Sequence, residues 1–244
     1  MNILVCIGIV PDTTSKLVID SATGKIDKRS LTMIIGPYDD YALSKAIEIK
    51  EQNNATLSVV YVGDDASAET LLRKSLAIGA DEAFQIKVPA ISSKQVATEI
   101  IHFAQKRSYD LILMGKESID SNNGLVHRLV GNGLNFNHFS PVMQLDVLDP
   151  QKVKIHVEVP DGTADYEVFL PAVFGCQEPI AEWKIPSMRG IMMARTKPLT
   201  VIDPLLQPTI KQFNDQIIEK NRLKRVYKLE DTKEIADIIN NLIN

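Results

Sequence analysis

Apolar and polar positions change period repeatedly along roughly the first 145 residues, from strand-like to helix-like blocks and back. Residues 2–9 (NILVCIGI) are almost continuously apolar, the mark of a strand covered on both faces. Residues 18–32 alternate around Thr23 and Gly24, which predicts a small exposed hairpin. Pro37 at a helix start, followed by Ala42, Ala46, Ile47 and Ile49 on one face, gives the first helix. A strand over 56–62 ends at Gly63, a helix over 68–78 stops at Gly79, and a strand over 83–88 follows. A helix over 93–106 and a fourth strand over 111–114 continue the pattern, and residues 141–147 and 152–159 read as later strands. Strands alternating with helices predict an α/β fold around a parallel sheet.

The most informative stretch surrounds the fourth strand, DLILMGKESIDSNNGLVHRLVG. Gly115 breaks the strand, and Ser118, Asp120, Ser121, Asn122, Asn123 and Gly124 then crowd polar side chains into a short loop. Leu125, Val126, Leu129 and Val130 open a helical pattern directly behind it. Strand, glycine-containing loop and helix start are how an α/β sheet builds an anion site at its carboxyl edge. The helix start offers unpaired N–H groups and a partial positive charge. An ordinary capped loop has the same composition, because Asp, Ser and Asn start helices generally, so both readings stand. Gly8, Gly63 and Gly115 put small residues at three strand ends, which a doubly wound sheet gathers beside its topological switch point.

Composition excludes several classes. A chain of 244 residues that is 45% hydrophobic buries one large core, or one core plus an appendage. A net charge of −4 and a pI near 5.6 give no basic field for nucleic acid or anionic lipid. No apolar run approaches the ~20 residues of a membrane span, so no membrane insertion is expected. The start MNILVCIGIVPD has no basic leader region and reads as a strand. Cys6 and Cys176 sit in apolar runs without metal-ligand spacing, as buried free thiols of a reducing, cytoplasmic compartment would. There is no GxGxxG after the first strand and no GxxxxGK[ST]. His102, His127, His138 and His156 are scattered, and each reads as a surface or hydrogen-bonded histidine. With no GxSxG and no paired carboxylates either, the chain reads as the holder of a ligand without a chemical step of its own.

Residues 178–204 (EPIAEWKIPSMRGIMMARTKPLTVIDP) carry the single Trp183, four prolines, Met188, Met192, Met193, Arg189 and Arg195. Proline density predicts an extended segment that folds little on itself. Met and Trp beside Arg make either an adaptable protein-binding surface or side chains packed on their own core; composition leaves the two equal. Residues 205–244 form a charged tail ending in a helix over 233–242, with Ile235, Ile238, Ile239 and Leu242 on one face. Such a stripe needs a surface to cover it, and a partner chain would supply one.

Over about residues 1–204 the chain resembles the β subunit of electron transfer flavoproteins. The matching pieces are ILVCIGIVPDTT, GPYDDYALSKAIEIKE, LRKSLAIGADEA, DLILMGKESIDSNNG and IPSMRGIMMARTKPL, in the family's order and spacing. The resemblance implies a three-layer α/β/α sheet of the adenine nucleotide α-hydrolase-like kind with an extended C-terminal arm. It implies a heterodimer with an α subunit that holds most of the redox-active FAD, and a structural AMP in the β subunit. In the electron-bifurcating branch a second FAD takes the place of the AMP. Electrons come from acyl-CoA dehydrogenases and pass to a membrane quinone reductase.

The family's AMP-contact motifs fall on Cys6, on Gly36, Pro37, Tyr38 and Asp39, on Gly63, and on Asp120, Ser121, Asn122, Asn123, Gly124, Leu125 and Val126. Its recognition loop falls on residues 183–196, with Trp183, Ile185, Met188, Arg189, Met192 and Arg195 as docking residues and Met188 as the anchor. Two departures stand out: Gly36-Pro37 where the family commonly has Asn-Pro, and Leu125 where many members have Gln. The implied organisation is a nucleotide-binding domain over 1–180, a recognition loop over 181–204, and a C-terminal arm over 205–244 that packs on the partner subunit. The runner-up is a stand-alone nucleotide-binding domain of the stress-protein type, which would not need the arm and tail.

Overall fold

The computed structural model of this chain describes residues 1–20, 25–89, 92–205 and 232–243. In chain order the elements are β1 (Asn2–Ile7), β2 (Ile9–Pro11), β3 (Ile19–Asp20), β4 (Lys25–Ile26), β5 (Met33–Ile35), α1 (Pro37–Asn53), β6 (Thr56–Val62) and α2 (Ala68–Ile78). Next come β7 (Glu82–Ile86), α3 (Ser93–Gln105), β8 (Leu111–Gly115), α4 (Val126–Leu134), β9 (Asn137–Asp149), β10 (Lys152–Val159) and β11 (Gly162–Phe169). β12 (Ala172–Cys176), α5 (Met188–Ala194), β13 (Leu199–Ile202) and α6 (Thr232–Ile243) complete the set.

Among the described residues nine strands form one sheet in the order β11-β10-β9-β12-β8-β1-β6-β7-β13. The two pairings of β10 are antiparallel, and the other neighbours run parallel. Along β1 the side chains alternate between two cores. Ile3, Val5 and Ile7 pack with Leu43 and Ile47 of α1 and Leu72 and Leu76 of α2. Leu4 and Cys6 pack with Ile100 and Phe103 of α3 and Val130 of α4. Period-2 alternation inside an all-apolar strand thus yields helices on both faces, the three-layer α/β/α arrangement expected. The chain moves from β1 to β6 and β7 on one side and returns to β8 on the other, so β1 and β8 flank the switch point.

The structure departs from the sequence pattern in four places. The run over 2–9 is not one strand: Gly8 interrupts it, and β2 turns off the main sheet to pair antiparallel with β5. α4 turns a different face inward, burying His127, Val130 and Gly131 while Leu125 is 47% exposed and Leu129 is also exposed. Gly131 sets this rotation, because a Cβ there would stand 2.7 Å from Cβ of His138 on β9. The segment over 178–204 does not stay extended; it folds into α5 and then adds β13 beside β7. β11 and β12 are strands beyond those the pattern predicts, although GTADYEVF alternates and AVFGC is an apolar run.

Two compact units make up the fold. The larger holds the nine-stranded sheet, β2, β5 and α1 to α5, and the smaller holds β3, β4 and α6. Within the smaller unit, β3 and β4 pair antiparallel as the hairpin pattern predicts. The expected turn at Thr23 and Gly24, and residues 206–231 of the tail, lie outside the described residues. The helix expected over 233–242 is present as α6.

Candidate functional site

The carboxyl ends of β1 and β8 are joined by one side chain. Asp39, in the first turn of α1, accepts the N–H of Gly8 through Oδ2 at 2.8 Å and the N–H of Gly115 through Oδ1 at 2.7 Å. Gly36 allows this approach, since a Cβ there would stand 2.7 Å from Oδ2, and a Cβ at Gly115 would meet Oδ1 at the same distance. The glycine before Pro37 therefore has a local steric cause. Asp39 is buried, and burial raises its pKa to about 7, outweighing the two N–H groups that pull it down; Asp40 and Asp120 push the same way as burial.

That influence of Asp120 brings the loop after β8 within electrostatic reach of the α1 start. Lys116 closes the same corner, its Nζ lying 4.9 Å from the ring centroid of Tyr38. The loop is held from within and from outside. Ser118 Oγ donates to Asp120 Oδ1 at 2.6 Å, Asn122 adopts a left-handed conformation (φ 49°) with its N–H on the Ser118 carbonyl, and Ser93 Oγ of α3 donates to Asn123 Oδ1. Among the described residues no hydrogen bond takes the N–H of Asn123, Gly124 or Leu125. A Cβ at Gly124 would come within 2.9 Å of the Lys116 carbonyl, so only glycine keeps this close turn open.

His127 differs from the sequence expectation of a surface or hydrogen-bonded histidine. It is 2% exposed, and among the described residues neither Nδ1 nor Nε2 has a partner of good hydrogen-bond geometry, the Lys116 backbone being a weak one. Burial lowers its pKa to about 4, with Arg128 and His138 acting in the same sense and the Lys116 backbone against them. Nothing in a scattered set of four histidines signals this; only the turn of α4 over β12 and β9 does.

The other expected nucleotide residues are placed as follows. Cys6 faces the α3 and α4 core as a buried free thiol, and Cys176 is a buried free thiol on β12. Gly63 ends β6 with its N–H on the Ile86 carbonyl and its carbonyl on Gln85 Nε2, and the Tyr61 ring fills the space where its side chain would project. Tyr38, Asp39 and the 120–126 loop converge at the switch point, while Gly63 lies across β1 at the β6 end. Neither of two surface cavities contains any of these residues. One of about 380 Å³ is lined by Arg128, His138, Ser140 and Glu158, and one of about 550 Å³ lies between α2 and residues 186–195.

The second region is built on the opposite helix layer. Trp183 leans on Tyr41 of α1 with ring centroids 5.6 Å apart, and the Lys184 N–H reaches Ser44 Oγ. Ser187 caps α5 by accepting the Gly190 N–H, and Arg73 of α2 donates to the Ala194 and Lys197 carbonyls at its far end. Ala194 is buried and anchors the helix, whereas Met188 is 80% and Ile185 87% exposed, with Met192 and Met193 also exposed. Of the two packings that composition left equal, the methionines take the outward one. Arg189 and Arg195 share this surface.

A mostly parallel, doubly wound sheet with helices on both faces defines a three-layer α/β protein. Residues 23–205 match the family described as Electron transfer flavoprotein domain. The chain is 29% identical to the electron transfer flavoprotein subunit beta of Bacillus subtilis, over 98% of this chain and 97% of that one. It is 31% identical to subunit CarD of the caffeyl-CoA reductase-Etf complex of Acetobacterium woodii, over 82% of this chain and 78% of that one. A third relative, the subunit beta of Syntrophomonas wolfei, is 30% identical over 82% and 78% of the two chains. The chain belongs to the electron transfer flavoprotein family, in its β-subunit branch. No helix among the described residues is long and apolar enough to cross a membrane.

Proposed function

We propose that this chain is the β subunit of a cytoplasmic, heterodimeric electron transfer flavoprotein, in which an α subunit holds FAD against it and the 120–126 loop holds AMP. The observation that carries the reading is the near full-length correspondence with the Bacillus subtilis subunit beta. The residues present fit an AMP phosphate: among the described residues the amides of Asn123, Gly124 and Leu125 have no hydrogen-bond partner, Gly124 keeps the turn open, and the α4 start adds its dipole. Gly8 and Gly115 are not available to it, because Asp39 holds their N–H groups. AMP contributes structure here, and FAD contributes the two-electron redox chemistry; the protein positions both.

The exposed Met188 and its neighbours supply the docking face for acyl-CoA dehydrogenases, and electrons then leave toward a membrane quinone reductase. A flexible apolar side chain standing free of its own core suits a small, transient contact. The similarity to a subunit of a caffeyl-CoA reductase-Etf complex favours one alternative, a bifurcating complex with a second FAD in the β site. Co-expression with the α subunit tests the proposal: the two chains are expected to co-purify with bound flavin that an acyl-CoA dehydrogenase reduces. A β chain that stays alone and adds nothing to flavin binding by α would overturn it.

A further inference from the structure

We infer that Asn123 is a self-modification site: the amide nitrogen of Gly124 attacks the Asn123 side chain, and the asparagine converts to aspartate and isoaspartate. The conversion needs no bound ligand; only its consequence for a nucleotide rests on the proposed AMP site.

The reaction balances with water alone. The Gly124 nitrogen gives up its proton and bonds to Cγ of Asn123, while the Cγ–Nδ2 bond breaks. Ammonia leaves and a cyclic succinimide remains. Water then opens the ring. Attack at Cγ returns an aspartate, and attack at the main-chain carbonyl leaves the chain running through the side chain, as isoaspartate. Nothing is oxidised or reduced: ammonia is exchanged for water, and the loop gains a negative charge.

Asparagine is among the thermally labile side chains, and a following glycine, lacking Cβ, leaves the approach to Cγ clear. The chain has two such pairs, Asn123-Gly124 and Asn132-Gly133, and the fold treats them differently. The first lies between β8 and α4, outside any helix or strand. Among the described residues no hydrogen bond takes the Gly124 N–H, so the attacking nitrogen is not tied to a carbonyl. Asn123 is held at one end only. Its Oδ1 accepts from Ser93 Oγ at 2.9 Å, and among the described residues no partner takes Nδ2, the group that must leave. A donor on Oδ1 also draws charge from Cγ and stabilises the oxyanion formed there. The second pair is a built-in comparison. Asn132 is exposed where Asn123 is half-buried, yet Gly133 sits inside α4, where the carbonyl four residues back holds its N–H. Exposure alone would favour Asn132, and the free N–H favours Asn123.

The product changes the loop. A carboxylate at position 123 stands where the proposed site would hold a phosphate, and like charges repel. Isoaspartate lengthens the main chain in a turn where a Cβ on Gly124 would already come within 2.9 Å of the Lys116 carbonyl. A bound nucleotide would instead engage the Gly124 N–H and shield it. The modification thus marks subunits that have lost their nucleotide.

The test incubates the full chain, freed of nucleotide, at mildly alkaline pH. Mass spectrometry of tryptic peptides follows both asparagines, which fall on separate peptides, and an isoaspartyl methyltransferase assay reads the isoaspartate. Asn123 is expected to convert at least about tenfold faster than Asn132, the rate ratio that loss of one helical hydrogen bond supplies. In the chain unfolded in urea the two should convert at similar rates, because only the fold separates them. Rates that are equal or reversed in the folded chain overturn the inference, as does an Asn123 that stays intact while the unfolded chain converts. Saturating AMP should slow Asn123 and leave Asn132 unchanged. AMP that binds by calorimetry without slowing Asn123 overturns the shielding. Conversion of Asn123 in a chain that binds no AMP overturns the nucleotide site and leaves the modification standing.

Discussion

Asp39 and Gly115, 76 residues apart in the chain, meet at 2.7 Å where the carboxylate of α1 accepts the N–H at the end of β8. The other oxygen of the same carboxylate takes Gly8 at the end of β1. One side chain thus ties the helix that follows β1 to both strands that flank the switch point. Its placement commits these two amides to Asp39, so the proposed anion site rests on the 120–126 loop alone.

Asp39→Asn should lower stability, because an amide has one acceptor oxygen for two N–H groups and sets its own NH₂ against the second. About 1–3 kcal/mol is expected for the orphaned donor. The pH dependence follows from the raised pKa. Between the ordinary carboxylate value of 3.8 and about 7 the folded state binds the proton that the unfolded state has lost. The contribution of this group is therefore complete at the acid end and declines as pH rises through about 7. Urea unfolding at several pH values should show this decline in the wild type and not in the variant.

Gly124→Val should cut the nucleotide content of the purified complex, since its Cβ would meet the Lys116 carbonyl and displace the turn. Extraction and chromatography of bound nucleotide measure it. Unchanged stoichiometric AMP would remove the loop from the site.

Met188→Ala should leave unfolding unchanged within about 0.5 kcal/mol, because the side chain is exposed. It should nevertheless slow flavin reduction by an acyl-CoA dehydrogenase at limiting concentration, measured by stopped flow, as loss of an interface anchor does. Gly190→Ala should act differently: its Cβ would overlap the Ala77 carbonyl, which forces α5 off α2. Both stability and coupling are expected to suffer.

Lys197→Met should destabilise the larger unit by about 1–2 kcal/mol, read as a lower Tm. Lys197 Nζ donates to the Leu76 carbonyl at 3.0 Å and the Ala80 carbonyl at 2.6 Å, holding the C-terminal end of α2 while Lys50 Nζ takes the Gly79 carbonyl. A methionine keeps the apolar stem and removes the donor.

Local periodicity carried most of the architecture, and residues 68–78 form α2 with the bounds the pattern implies. What it misses is set at a distance. Nothing near Gly8 announces that Asp39 will take its N–H and end β1, and nothing in LVHRLV shows that α4 will bury His127 and leave Leu125 outside. Both depend on packing across the sheet edge. In the candidate site the loop is legible because its glycine and its polar cluster are local signals. The structural role of Asp39, the burial of the His127 ring and the outward set of Met188 are not, because composition does not say which way a side chain turns.

The most direct test of the account is the cofactor content of this chain purified with its α subunit, read from the ultraviolet–visible spectrum and from nucleotide extracted after denaturation. One flavin and one AMP per heterodimer is the expected result. A heterodimer with two flavins and no AMP, or one with no adenine nucleotide beyond its single flavin, would contradict it.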